Sequence, residues 1–282
     1  MNSLLSLSKA EFYVSTRSNA SRIVIFLPAT LGAIQLILAK IVSIGTSARV
    51  ALTSQQSLVS NNAYGYFVDS LTTGLTTLVL LSIANAAYGL SQERELGTLR
   101  HLLIRSGSRQ SIIIAKLLHL HCLTLFSFTV LSFTAYFMSA SLWDFGPVIE
   151  DGYQLIGESE IWSEIQLGIL LAALPIPASI CFGLLIGIIA QSPGQALAVS
   201  MGLTLTFDIF KSNMGAGANY VFAKFQPSLI DYSYISEVSR MVRGFSDVFI
   251  ESETIAFNTW IPIPSALLLT ALLLFYIRKR PL

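Results

Sequence analysis

Six apolar stretches, near residues 22–44, 67–90, 111–140, 165–190, 195–211 and 258–277, dominate the chain. Each approaches the ~20 residues that a membrane-spanning helix requires. Hydrophobic residues make up 53% of the 282 and charged ones only 12%, where soluble domains run near about 25% charged. Such a chain cannot hide its apolar surface in one core and needs a bilayer as part of its solvent. The expected fold class is therefore an all-α polytopic membrane protein with six transmembrane helices in a single domain over residues 1–282. The third stretch exceeds a span and should tilt or project beyond the bilayer. The fifth is the shortest. The first is too long for a signal peptide and lacks its small-residue cleavage site, so it is expected to be retained.

Basic residues set the expected orientation. One side gathers Lys9, Arg17 and Arg22, then Arg94, Arg100, Arg105, Arg109 and Lys116, then Arg278, Lys279 and Arg280. The other gathers the acids Asp144, Glu150, Asp151, Glu158, Glu160 and Glu164 in one loop. Both termini should then be cytoplasmic. The net charge of +1 offers no basic surplus for nucleic acid. Cys122 and Cys181 sit inside apolar runs and read as small buried hydrophobes, not as a disulfide framework.

Between the second and third stretches lies a charged island at 91–110. Glu93, Arg94, Glu95, Gly97, Thr98, Leu99, Arg100, Leu102 and Leu103 lead through Ser106-Gly107-Ser108-Arg109 toward Lys116. Leu99, Leu102 and Leu103 fall on one face of a short helix. Gly97-Thr98 breaks or begins the turn, with Thr98 placed to accept a backbone N–H as an N-cap. Ser108 or Ser111 can cap the next span. The leucine face suits a hydrophobic groove on a soluble protein, with the flanking charges fixing register. Glu93 and Glu95 lack the His or metal-ligand spacing that acid–base chemistry would need, so docking is preferred to catalysis. A plain solvated loop is the blander reading.

These residues resemble the ABC type-2 permease family, the membrane halves of ATP-driven exporters. The family run Glu-x-Glu-x-Gly-Thr-Leu-x-x-Leu-Leu, followed by Ser-Arg and Lys, stands here as Glu93, Glu95, Gly97, Thr98, Leu99, Leu102, Leu103, Ser108, Arg109 and Lys116. Ser106 replaces the family's Pro. The short length and the Arg-Lys-Arg end are similar to single-function permeases, that of the nitrous-oxide-reductase maturation transporter among them. The resemblance implies a permease that is not itself catalytic and holds no cofactor. ATP and Mg would be bound by a cytosolic ABC ATPase dimer that pushes a coupling helix between spans two and three. It also implies an N-terminal interfacial helix within residues 1–20, pairing with a second copy, and residence in a bacterial inner (plasma) membrane. The alternative is a membrane anchor or mechanotransmission subunit that acts on an extracytoplasmic protein, for example in metalloenzyme maturation, without bulk transport. No nucleotide-binding pattern Gly-x-x-x-x-Gly-Lys-Ser/Thr occurs in the chain.

The segment 212–257 carries an amphipathic pattern. Tyr234, Ile235, Val238, Met241, Val242, Phe245, Val248 and Phe249 recur at helical spacing, and Arg243 and Asp247 stand i,i+4. An outer helix between spans five and six follows, with Met241 and Phe245 as candidate gate residues. Asp208, i,i+3 from Lys211, is a transport-path candidate because ionisable groups in spans are costly; mutual neutralisation is the simpler reading. His119, His121 and Cys122 invite a metal, yet no carboxylate stands near them in sequence and helix packing is preferred. Gly74, Gly183 and Gly187 permit close helix approach, and Pro175 and Pro177 should interrupt the start of the fourth span.

Overall fold

A computed structural model describes residues 2–53, 62–106, 108–150, 153–228, 233–243 and 252–279. The helices are α1 (Asn2–Arg17), α2 (Asn19–Thr53), α3 (Ala63–Glu95), α4 (Thr98–Ser106), α5 (Arg109–Leu142), α6 (Glu158–Ala173), α7 (Ile176–Ile189), α8 (Pro193–Phe210), α9 (Tyr234–Val242), α10 (Ser252–Trp260) and α11 (Pro262–Lys279). Five helical stretches are long and apolar enough to cross a membrane: Asn19–Ala48, Ala63–Glu95, Arg109–Leu142, Glu158–Ile189 and Ser252–Lys279. The protein is a helical membrane protein.

Its surface agrees with that class. Phe26, Leu38 and Ile41 on α2, Leu125, Phe133 and Phe137 on α5, and Leu267, Leu268 and Phe275 on α11 are all exposed. So large an apolar surface is stable only against lipid or another apolar partner. The bundle is built around α3, which packs against α2, α5, α7, α8 and α9. Two apolar clusters stack along it. Leu71 and Leu75 meet Leu131 of α5, Ile165 of α6 and Ile235 of α9 at one end. Ile83 and Leu90 meet Ile113 of α5, Leu184 of α7 and Leu273 of α11 at the other.

Small residues bring these helices together. A Cβ on Gly183 would stand 2.6 Å from the carbonyl oxygen of Ile83, and one on Gly187 would stand 2.6 Å from that of Ala87. Only hydrogen fits there, so α7 rests on the backbone of α3. Leu131 fills the notch that Gly74 leaves on α3.

Helix boundaries follow local chemistry. The Asn62 side chain accepts the Tyr64 N–H at 3.0 Å to start α3, and Ser108 accepts from Ser111 to start α5. The fourth stretch breaks at Leu174-Pro175, between α6 and α7. That lies midway along the span, not at its start, because the helix already begins at Glu158. The fifth expected span corresponds to α8, which has 18 residues and is not among the five long apolar helices. Pro193, Gly202 and Asp208 dilute its apolar character. It gives way to a 3-10 helix, Lys211–Tyr220, in which Gly215 takes a φ of +54°.

The loop before α6 holds an antiparallel pair not expected from the sequence, β1 (Val148–Glu150) and β2 (Tyr153–Ile156), with a register irregularity between Val148 and Ile149. At this end α9 packs into the bundle, which fits a helix that dips between spans. Its Ile235, Val238 and Val242 are buried against α3 and α6, and Gly168 lets the backbone of Ile235 approach within 3.4 Å of a would-be Cβ. Arg243 pairs with Asp69 of α3 and lies 4.8 Å over the Tyr66 ring. Asp247, the expected i,i+4 partner of Arg243, and Phe245 fall outside the described residues.

Candidate functional site at the charged end

The island forms one short helix strapped across the end of the bundle. Leu96 closes α3, and Gly97, at a φ of +72°, reverses the chain in a conformation that favours glycine. Arg100 and His101 then donate their backbone N–H groups to the Gly97 carbonyl at 3.1 and 3.3 Å as α4 begins. Thr98 does not cap by accepting. Its hydroxyl donates to the Glu93 carbonyl at 3.0 Å, because Thr98 already lies inside the first turn and the nearest open group is a C-terminal carbonyl of α3.

The leucine face turns inward. Leu99 is 2% exposed and joins Leu7, Leu90 and Ile112 in the chain's own core, with Leu102 and Leu103 packed partly against the same cluster. Leu99 is thus covered by the chain's own core, while Leu102 and Leu103 are half-buried beside it. Three apolar side chains on a nine-residue helix find the exposed ends of α1, α3 and α5 beside them. What α4 presents outward is Arg100 and, one turn on, Ile104, 77% exposed; Leu96, 68% exposed, stands just before it at the end of α3. Glu95 and His101 are exposed beside it.

Charged groups on the helices that flank α4 tie α3 to α7, and α5 to α1, α3 and α11. Arg94 donates to the Ile188 carbonyl at 2.7 Å and to that of Ala190, closing the C-terminal end of α7. Arg109 reaches the carbonyl oxygens of Ile277 and Arg278 at 3.4 and 3.5 Å, at the end of α11. Cationic side chains there complement the helix dipole. Lys116 of α5 donates to Glu11 of α1 at 2.8 Å and to Glu93 of α3 at 2.5 Å. Of the sequence-predicted docking residues, Glu93, Thr98, Leu99, Leu102, Leu103 and Arg109 thus point into the protein or bind it, whereas Glu95 is open.

Reasoning from sequence missed Leu96, Ile104, Glu11 and the helix-closing role of Arg94. Ile104, five residues from Leu99 and so on nearly the opposite side of a helix, was a usable signal. So was Lys116, a cation inside an apolar run, which demands a carboxylate partner.

Next to α4 a cleft of about 570 Å³ opens between α1, α3 and α5. Its wall includes Glu11, Glu93, Lys116, His119, Asn85 and Tyr88. His119 sits edge-on to Phe12 of α1 with ring centroids 5.2 Å apart. His121 instead faces its own helix, with Nδ1 2.7 Å from the Leu117 carbonyl, and Cys122 is exposed. Among the described residues no three His, Cys, Asp or Glu side chains cluster in a way that could hold a metal.

The remaining candidates lie toward the opposite end. Asp208 pairs with Lys211 at 2.9 Å and accepts from Ser228 at 2.6 Å, so the carboxylate is held by two donors. Met241 packs partly buried against the core cluster. Tyr234 donates to Glu164 at 2.6 Å; burial, with that carboxylate beside it, holds the phenol above the ordinary tyrosine range.

The profile of the family described as "Protein of unknown function (DUF2705)" matches residues 30–276. No curated protein and no solved structure matches the chain. The chain belongs to the DUF2705 family.

Proposed function

We propose that this DUF2705 member is the permease subunit of an ATP-driven exporter, receiving force at α4 from a separate ABC ATPase dimer that binds ATP and Mg. In this reading α8 serves as a sixth, short span, both termini are cytoplasmic, and the charged end faces the cytoplasm of a bacterial cell. A second copy completes the transport path, since exporters of this type work as paired membrane halves. The chain itself performs no chemistry.

The observation that carries the reading is the two-sided character of α4. One side presents Arg100 and Ile104 to solvent, with Leu96 exposed just before it. The other is fastened through Leu99 to the core, and its flanking Arg94 and Arg109 are fastened to the ends of α7 and α11. A push on these exposed residues is thereby passed to several spans at once. The N-terminal helix adds a further link through Glu11 and Lys116.

The test pairs this chain with an ABC ATPase subunit sought among the genes that neighbour its own. Co-purification and ATP hydrolysis stimulated by the membrane subunit are expected. Changing Leu96 and Ile104 together to Asp places charge against an apolar groove, which costs several kcal/mol unless relieved. That variant should insert and fold normally yet fail to co-purify. Unchanged co-purification would show that α4 is not where the ATPase docks.

A further inference from the structure

The cleft beside α4 has a charge and hydrogen-bond imbalance that the force-transmitting role does not use. Its ionisable wall consists of Glu11, Glu93, Lys116, His119 and His101, a formal charge of −1 with both histidines neutral. Lys116 donates to one oxygen of each carboxylate. The second oxygen of Glu93, Oε2, is buried without a hydrogen-bond partner, and so is Nε2 of His119. His119 is only 7% exposed, yet it lines the cleft. An unsatisfied buried group costs roughly 1–3 kcal/mol, and a carboxylate oxygen only accepts, so two carboxylates sharing one lysine favour a group that brings N–H donors.

The rest of the wall mixes uncharged polar side chains, Asn85 and Gln92 among them, with a larger apolar share in which Leu7, Val14, Leu90, Leu102, Leu120 and Leu184 line the same space. A mainly apolar hollow with a few convergent polar groups is the ordinary form of a small-molecule site. An anion would meet the unpaired carboxylate oxygen, and a neutral alcohol would leave the net charge unanswered. We propose that the cleft binds an amphiphile carrying a primary ammonium on an apolar chain, the ammonium pairing with the Glu11 and Glu93 carboxylates that line the cleft and the chain lying along the leucines. This inference does not rest on the docking reading, and its test involves no ATPase.

Dodecylammonium is titrated into the full chain in phosphatidylcholine nanodiscs, with dodecanol and dodecyl sulfate as comparators, and saturable binding is measured calorimetrically. One saturable site for the ammonium is expected, with both comparators roughly tenfold weaker or more, as for loss of a charge-assisted hydrogen bond. Glu93→Gln should weaken ammonium binding by a similar factor. Gly89→Phe provides an arm that leaves the ion pairs intact. Gly89 lines the cleft, and a Cβ there meets nothing within 4 Å, so the ring should fill the space, keep the melting temperature and abolish binding. Weaker apparent binding in nanodiscs containing phosphatidylethanolamine would assign the site to a lipid headgroup, and an unchanged value to a free amine. Equal binding of the three amphiphiles, equal binding by both variants, or no saturable binding by the folded wild type would overturn the proposal and leave water as the occupant.

Discussion

Leu99 and Ile104 face opposite ways on the same short helix, and truncating each to Ala separates packing from docking. Leu99 is 2% exposed and packs in the cluster that holds Leu7, Leu90 and Ile112. Leu→Ala at such a site removes transfer free energy and leaves a cavity, about 2–5 kcal/mol together. Even the lower bound lowers the folded-to-unfolded ratio by roughly thirtyfold. Ile104 is 77% exposed, so its truncation should change stability by no more than about 0.5 kcal/mol. Denaturation of the full chain in mixed micelles measures both. Leu99→Ala should shift the midpoint clearly and Ile104→Ala hardly at all, whereas ATPase binding should respond to Ile104. A destabilising Ile104→Ala beside a neutral Leu99→Ala would mean that α4 sits with its faces exchanged, and the docking argument would fall with it.

Three further outcomes are expected. Gly187→Val drives a methyl group into the Ala87 carbonyl, where a Cβ alone already stands at 2.6 Å, and should cost about 1–3 kcal/mol or more; Gly202→Ala, with nothing within 4 Å, should be neutral or stabilising in the same thermal assay. Lys116→Met strands Glu93 beside Glu11 in a poorly solvated site and should cost about 3–5 kcal/mol, most of it recovered in a Glu11→Gln/Glu93→Gln background; equal losses in both backgrounds would reduce Lys116 to a packing role. A topology reporter fused after Gly152 should read external and one after Leu282 internal, since the basic residues gather at the other end, and the reverse result would remove α4 from the cytoplasm and the ATPase with it.

The long apolar runs are legible because a bilayer fixes both their length and their composition. The run at 195–211 is the shortest of the six, and Gln195, Gly202 and Asp208 already make it less apolar than the others. The β1–β2 pair escapes a reading of that loop for its acids alone; Asp151-Gly152 between Val148-Ile149 and Tyr153 is a hairpin-type signal. For α4, periodicity shows that Leu99, Leu102 and Leu103 share a face but carries no information about what covers it. Glu11–Lys116 and Asp69–Arg243 span 105 and 174 residues. Contacts of that separation exist only once the bundle has formed, so no local pattern announces them.

The glycine contacts between α3 and α7 also bear on how this protein can move. Where Gly183 and Gly187 lie on the carbonyls of Ile83 and Ala87, no side chain stands between the helices to change rotamer, and any sliding would drive backbone into backbone. The two helices have one set of rigid-body coordinates between them. Arg94 adds a crosslink at their charged end. Relative movement within the bundle is therefore expected at seams filled by deformable side chains rather than between α3 and α7.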